Sequence, residues 1–131
     1  MSKKEVKQML DLKFGQRVQT RKLTVQATDG PITFTIQGLS NRVQGEISGK
    51  PDAVAIANTV KYGLIAVEGW TDEAGNPVAC EFTEQDILGK PVRCLTDDFV
   101  DNVPDMVQHL LVTEIANLTT VDINALDFSI A

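Results

Sequence analysis

The run LTVQATDGPITFTIQ, residues 23–37, decides how the fold is read. Leu23, Val25 and Ala27 alternate with Thr24 and Gln26, and Ile32, Phe34 and Ile36 alternate with Thr33, Thr35 and Gln37. Such alternation places successive side chains on opposite faces of a strand, and branched and aromatic residues suit a pleated, half-buried surface. Asp29-Gly30 between the two runs is a turn signal, so the stretch predicts a β-hairpin. A lone hairpin is marginal in water, so its apolar face needs a helix, more strands or another subunit. Short runs at 77–82 (Val78, Cys80, Phe82) and 91–95 (Val92, Cys94) are candidate extra strands.

On the N-terminal side, Ser2-Lys3-Lys4-Glu5 has the form of a capping box. Val6, Met9, Leu10 and Phe14 follow at helical spacing before Gly15, which predicts an amphipathic helix over 3–14. On the C-terminal side, Ser40 is placed to cap a short helix carrying Val43 and Ile47. After Pro51, residues Ile56, Val60, Leu64 and Val67 form one stripe, widened by Ala53, Ala57 and Ile65, which predicts a central core helix over 52–68. Gly63 inside it suggests close approach of a neighbour. Residues 69–77 are rich in turn formers. Thr83 with Asp86 predicts a one-turn helix, and Thr96 caps another over 97–102. Pro104 opens a last long helix with Val107, Leu111, Ile115 and Leu118 on its inner face and Leu110 broadening it. The expected fold class is α+β and mostly helical, a single domain over residues 1–131. It comprises an N-terminal helix within 1–15, the β-hairpin in 16–38, a helical part over 39–118 and a tail over 119–131.

Composition narrows the class. The 131 residues are 43% hydrophobic and 23% charged, enough to bury a core. No uninterrupted apolar run, Leu64 to Val67 included, comes near the ~20 residues a membrane span needs. MSKKEVKQML lacks the apolar centre of a secretory signal, and Cys80 and Cys94 are too few for a disulfide scaffold, so the expected home is a reducing cytoplasm. The net charge of −6 is split unevenly. Residues 1–50 carry nine basic and four acidic side chains; residues 51–131 carry three basic against fourteen acidic. Either the two parts neutralise each other within one molecule, or they draw copies together head to tail.

No motif marks a reaction centre. The two cysteines lack the second close pair of a zinc site, and His109 is the only histidine. Asp97, Asp98, Asp101 and Asp105 do not match a calcium loop, and acids at helix starts are stabilised by the helix dipole without any ligand. Gly89-Lys90-Pro91 lacks the rest of a phosphate loop. The basic N-terminal third has few aromatics for base stacking, and the acidic whole repels phosphate, so no nucleic acid is expected. No catalytic residue, cofactor or metal is therefore expected, and an interaction module or assembly factor is what the residues leave.

Three segments resemble the tail assembly chaperones of long-tailed bacteriophages, the family of the lambda tail-assembly protein G. They are ITFTIQGLSNRV, a threonine-rich strand entering a Leu-Ser helix start; VKYGLIAVEGW, a small residue ahead of an apolar run and a tryptophan; and PDMVQHLLVTEIANLT, a final helix entered through proline. The likeness spans about residues 30–120 and leaves out the N-terminal helix. It implies a non-enzymatic chaperone in the host cytoplasm that binds the tape measure protein, keeps it soluble, helps recruit tail tube protein and is absent from the mature virion. A longer product of ribosomal frameshifting often accompanies such proteins. The alternatives are a structural virion component, such as a tail-completion or head–tail connector protein, and a small enzyme. Repeated weak sites along one client gain avidity, so self-association is expected. The candidate contact sets Lys3, Lys4, Lys7, Arg17, Arg21 and Lys22 of one copy against Asp97, Asp98, Asp101 and Asp105 of the next.

Overall fold

The computed structural model describes residue 14 and residues 18–119. Strands β1 (Thr20–Ala27) and β2 (Gly30–Gln37) form the expected hairpin, paired antiparallel with Leu23 opposite Phe34 and Val25 opposite Ile32. The turn residues are Thr28 and Asp29, neither with positive φ, while Gly30 starts the second strand at φ 125°. The hairpin gains a third strand, β3 (Leu64–Glu68), which pairs antiparallel with β2 and makes the sheet order β1-β2-β3. A bulge between Thr35 and Ile36 lets Ile36 face Leu64 while Thr35 faces Ala66.

Four helices and a second hairpin complete the described chain. Helix α1 (Asn41–Ile47) is capped by Ser40, whose hydroxyl accepts from the Val43 amide. Helix α2 (Asp52–Gly63) runs directly into β3. Strands β4 (Phe82–Ile87) and β5 (Lys90–Leu95) pair only with each other. Helix α3 (Asp97–Asp101) is capped by Thr96, and α4 (Asp105–Thr119) follows Pro104.

Two buried clusters lie on either side of α2. The larger gathers Phe34 and Ile36 from β2, Val60 from α2, Leu64 from β3, Phe99 from α3, and Leu111 and Ile115 from α4. The smaller joins Val43, Tyr62, Ile87 and Cys94, tying α1 and α2 to the second hairpin. Helix α4 covers the apolar face of the sheet. Its last turn reaches the open end of the hairpin just past β2, where the Thr119 hydroxyl accepts from the Leu39 amide at 2.8 Å. Gly63 is where α2 meets α4: a Cβ there would strike Ile115 Cδ1 and lie 2.8 Å from its Cγ2. The sequence reading of Gly63 as a point of close approach holds.

The mostly helical expectation does not. Among the described residues helix makes up about 38% and strand 34%, in two antiparallel sheets of three and two strands with four helices. Three strands lie within the 39–118 stretch expected to be helical. The predicted 52–68 helix stops at Gly63 because Leu64-Ile65-Ala66-Val67, a short apolar run compatible with either state, completes the open edge of β2 instead. The one-turn helix expected from Thr83 is β4, and the strand expected at 77–82 contributes only Phe82 to a ladder. Ile87, Cys94 and Leu95 are buried, and pairing β4 with β5 satisfies their backbone while Ile87 and Cys94 pack against α1 and α2. The predicted helix over 3–14 and tail over 119–131 lie outside the described residues, apart from Phe14 and from Thr119, which ends α4 and does not belong to a tail.

Candidate functional site

The loop from Gly69 to Glu81 is rigidly built. Thr71 and Pro77 form a lone β-bridge, the Val78 amide donates to the Trp70 carbonyl at 2.8 Å, and the Asp72 carboxylate accepts from the Ala74 and Asn76 amides at 2.9 Å each. Trp70 is anchored edge-on against Phe34, with ring centroids 5.4 Å apart and planes at 77°. Opposite this loop stand α3 and the turn into α4. There Gln108 donates to the Val100 and Val103 carbonyls at 3.2 and 3.0 Å, fixing the corner.

Between the two walls lies an open groove of about 910 Å³. Its apolar lining is Trp70, Val78, Ala79, Phe99, Val103 and Pro104. Its acidic lining is Asp72, Glu73, Glu81 and Asp98, and no basic side chain is among the described lining residues. The arrangement suits a ligand with an apolar stripe flanked by positive charge. Sequence reasoning missed it because residues 69–77 showed only turn formers; the one available signal was a tryptophan among them.

The acids expected to act together are separated. Asp98 joins the groove. Asp97 faces Lys61 at 3.0 Å, where the Lys61 ammonium also donates to Gln85. Asp101 is exposed at the end of α3, and Asp105 lines a smaller recess of about 180 Å³ with His109, Ala53 and Ile56. On the basic side, Arg21 pairs with Glu114 of its own chain at 3.0 Å, so this part of the charge split is neutralised within the molecule. Lys22 is exposed on β1. Lys3, Lys4, Lys7 and Arg17 lie outside the described residues.

Neither cysteine is primed for nucleophilic chemistry. Burial pushes the Cys80 thiol up, partly offset by Arg93; burial also pushes Cys94 up, with Lys61 lowering it and Asp97 raising it again. The Tyr62 phenol is pushed up to about 12, chiefly by burial, then by Cys94, Glu46 and Asp97. Among the described residues no group of three His, Cys, Asp or Glu side chains is placed to hold a metal ion, and no helix is long and apolar enough to cross a membrane. No family model, curated protein or solved structure matches the chain.

Proposed function

We propose that the chain is a phage tail assembly chaperone: a non-enzymatic protein that binds the tape measure protein, keeps it soluble in the host cytoplasm, helps recruit tail tube subunits and stays out of the finished virion. The groove between the 69–81 loop and the α3–α4 corner is the observation that supports this reading. A long helical client exposes apolar stripes that aggregate when left bare. A shallow apolar floor takes one such stripe, and the acidic rim favours clients whose stripes are flanked by lysine or arginine.

Co-expression with a phage tape measure protein tests the reading. The expected result is a soluble client that co-purifies with the chain. Ala79 is exposed on the groove, so Ala79→Arg obstructs it without touching the core and should abolish capture. An insoluble client, capture indifferent to Ala79→Arg, or the chain found as a component of purified particles each counts against the proposal.

A further inference from the structure

We infer that the groove receives residues 3–14 of a second copy of this chain, so that copies join head to tail through one acidic groove and one basic segment. The segment carries Lys3, Lys4, Lys7 and Lys13 against Glu5 and Asp11, and its spacing predicts an apolar stripe of Val6, Met9, Leu10 and Phe14. Its chemistry is the complement of the groove, which offers an apolar floor and the acids Asp72, Glu73, Glu81 and Asp98. Phe14, the last residue of that stripe, is wholly exposed on its own molecule, at 109%. A side chain of this size left in water is the part of the segment that gains most from a partner's groove.

Geometry keeps Phe14, the end of the stripe, out of its own groove and leaves it to a neighbour. The described chain resumes at Val18, beside the start of β1. The groove lies at the other end of the sheet. Gly69, next to Trp70, sits against the Pro31 carbonyl by the hairpin turn, and Pro104 opens α4, whose opposite end at Leu118 meets Gly38. The seven steps along β1 separate these ends by about 23 Å at ~3.3 Å per residue. The link from Val18 back to Phe14 spans at most about 14 Å when fully extended. Phe14 therefore cannot enter the groove of its own molecule, whereas a second copy brings the segment in without that tether. The inference rests on the groove, the charges and this reach, and is independent of what client the groove also takes.

Trp70 is the chain's single tryptophan and lies in the groove floor, so its emission reports occupancy. In the full chain at ~50 mM salt, raising the protein concentration should shift Trp70 emission and increase the sedimentation coefficient together. At ~1 M salt, where the screening length falls to about 3 Å, both changes should weaken. Phe14→Ser changes a side chain that is buried against nothing in its own molecule, so folding is spared; it should weaken association roughly tenfold or more. Glu73→Lys with Glu81→Lys should do the same, because like charges then face each other across the contact. An equimolar mixture of that chain with one carrying Lys3→Glu, Lys4→Glu and Lys7→Glu should associate where neither does alone. A wild-type chain that is monomeric at every concentration, a Trp70 shift that ignores concentration, or association untouched by Phe14→Ser and by the groove reversals would overturn the inference.

Discussion

The two hairpins are built from the same parts and read very differently in the sequence. β1–β2 alternates threonine with branched and aromatic residues, so its local preference and its final state agree. β4–β5 begins FTEQDI, with Glu, Gln and Asp at positions a strand does not favour, and its buried side chains are at the Ile87 end and at Cys94 and Leu95. The turns differ as well. Thr28-Asp29 closes the first hairpin without positive φ, whereas Leu88 (φ 52°) and Gly89 (φ 82°) both take the left-handed region in the second. A leucine in that region costs roughly 1–2 kcal/mol. The side chain is 80% exposed and recovers little by burial, but Arg42 reaches from α1 to donate to the Ile87 and Leu88 carbonyls at 3.1 and 3.0 Å, clamping the turn. The first turn closes on its own residues; the second is held by Arg42 from α1.

Substitutions can break or sharpen that contrast. Phe34→Ala, in the face of the first hairpin that packs on α4 and Trp70, should cost about 3–5 kcal/mol in denaturant unfolding. Ile87→Ala, in the small cluster beneath the second hairpin, should cost about 2–3 kcal/mol. Hydrogen exchange separates the two: Ile87→Ala should speed exchange at β4–β5 amides first, and uniform acceleration over both sheets would mean that the hairpins open as one unit. Gly63→Ala should cost about 1–3 kcal/mol by overpacking Ile115, and Ile115→Val in the same chain should recover part of it.

Smaller effects fall on the second hairpin alone. Leu88→Asn places a residue that tolerates the left-handed region in the turn and should stabilise by about 1 kcal/mol, read as a rise in Tm. Tyr62, below that hairpin, should matter least at neutral pH. Its folded pKa is raised from 10.0 to about 12, so the unfolded phenol ionises first; stability is fully present below pH 10 and declines as pH rises toward 12. Tyr62→Phe should remove that portion of the alkaline decline while leaving the rest of the profile.

Legibility followed how local each signal was. Ser40 and Thr96 were readable as caps because the hydroxyl and the amide it accepts from lie three residues apart. The α4 stripe was readable because Leu111 and Ile115 recur on one helix face, although Leu110 proves exposed at 38%. Val67 fitted a helix stripe equally well and ended opposite Phe34 in a strand. The groove was the least legible feature, since Trp70, Val78, Phe99 and Val103 come from segments that nothing in their spacing connects.

Taken alone, the amino-acid order determined the first hairpin, the helix starts capped by Ser40 and Thr96, the inner face of α4, the need for glycine at position 63 and the uneven charge. Tertiary structure alone decided that residues 64–68 leave the helix, that 83–87 forms a strand and pairs with the one legible at 91–95, that Asp97 and Asp98 serve different neighbours, and that an acidic, apolar-floored groove exists. The division has a physical basis. Periodicity and capping act over three or four residues, whereas ladder pairing, burial and the convergence of distant walls depend on what lies opposite, and that is settled only when the chain has closed on itself.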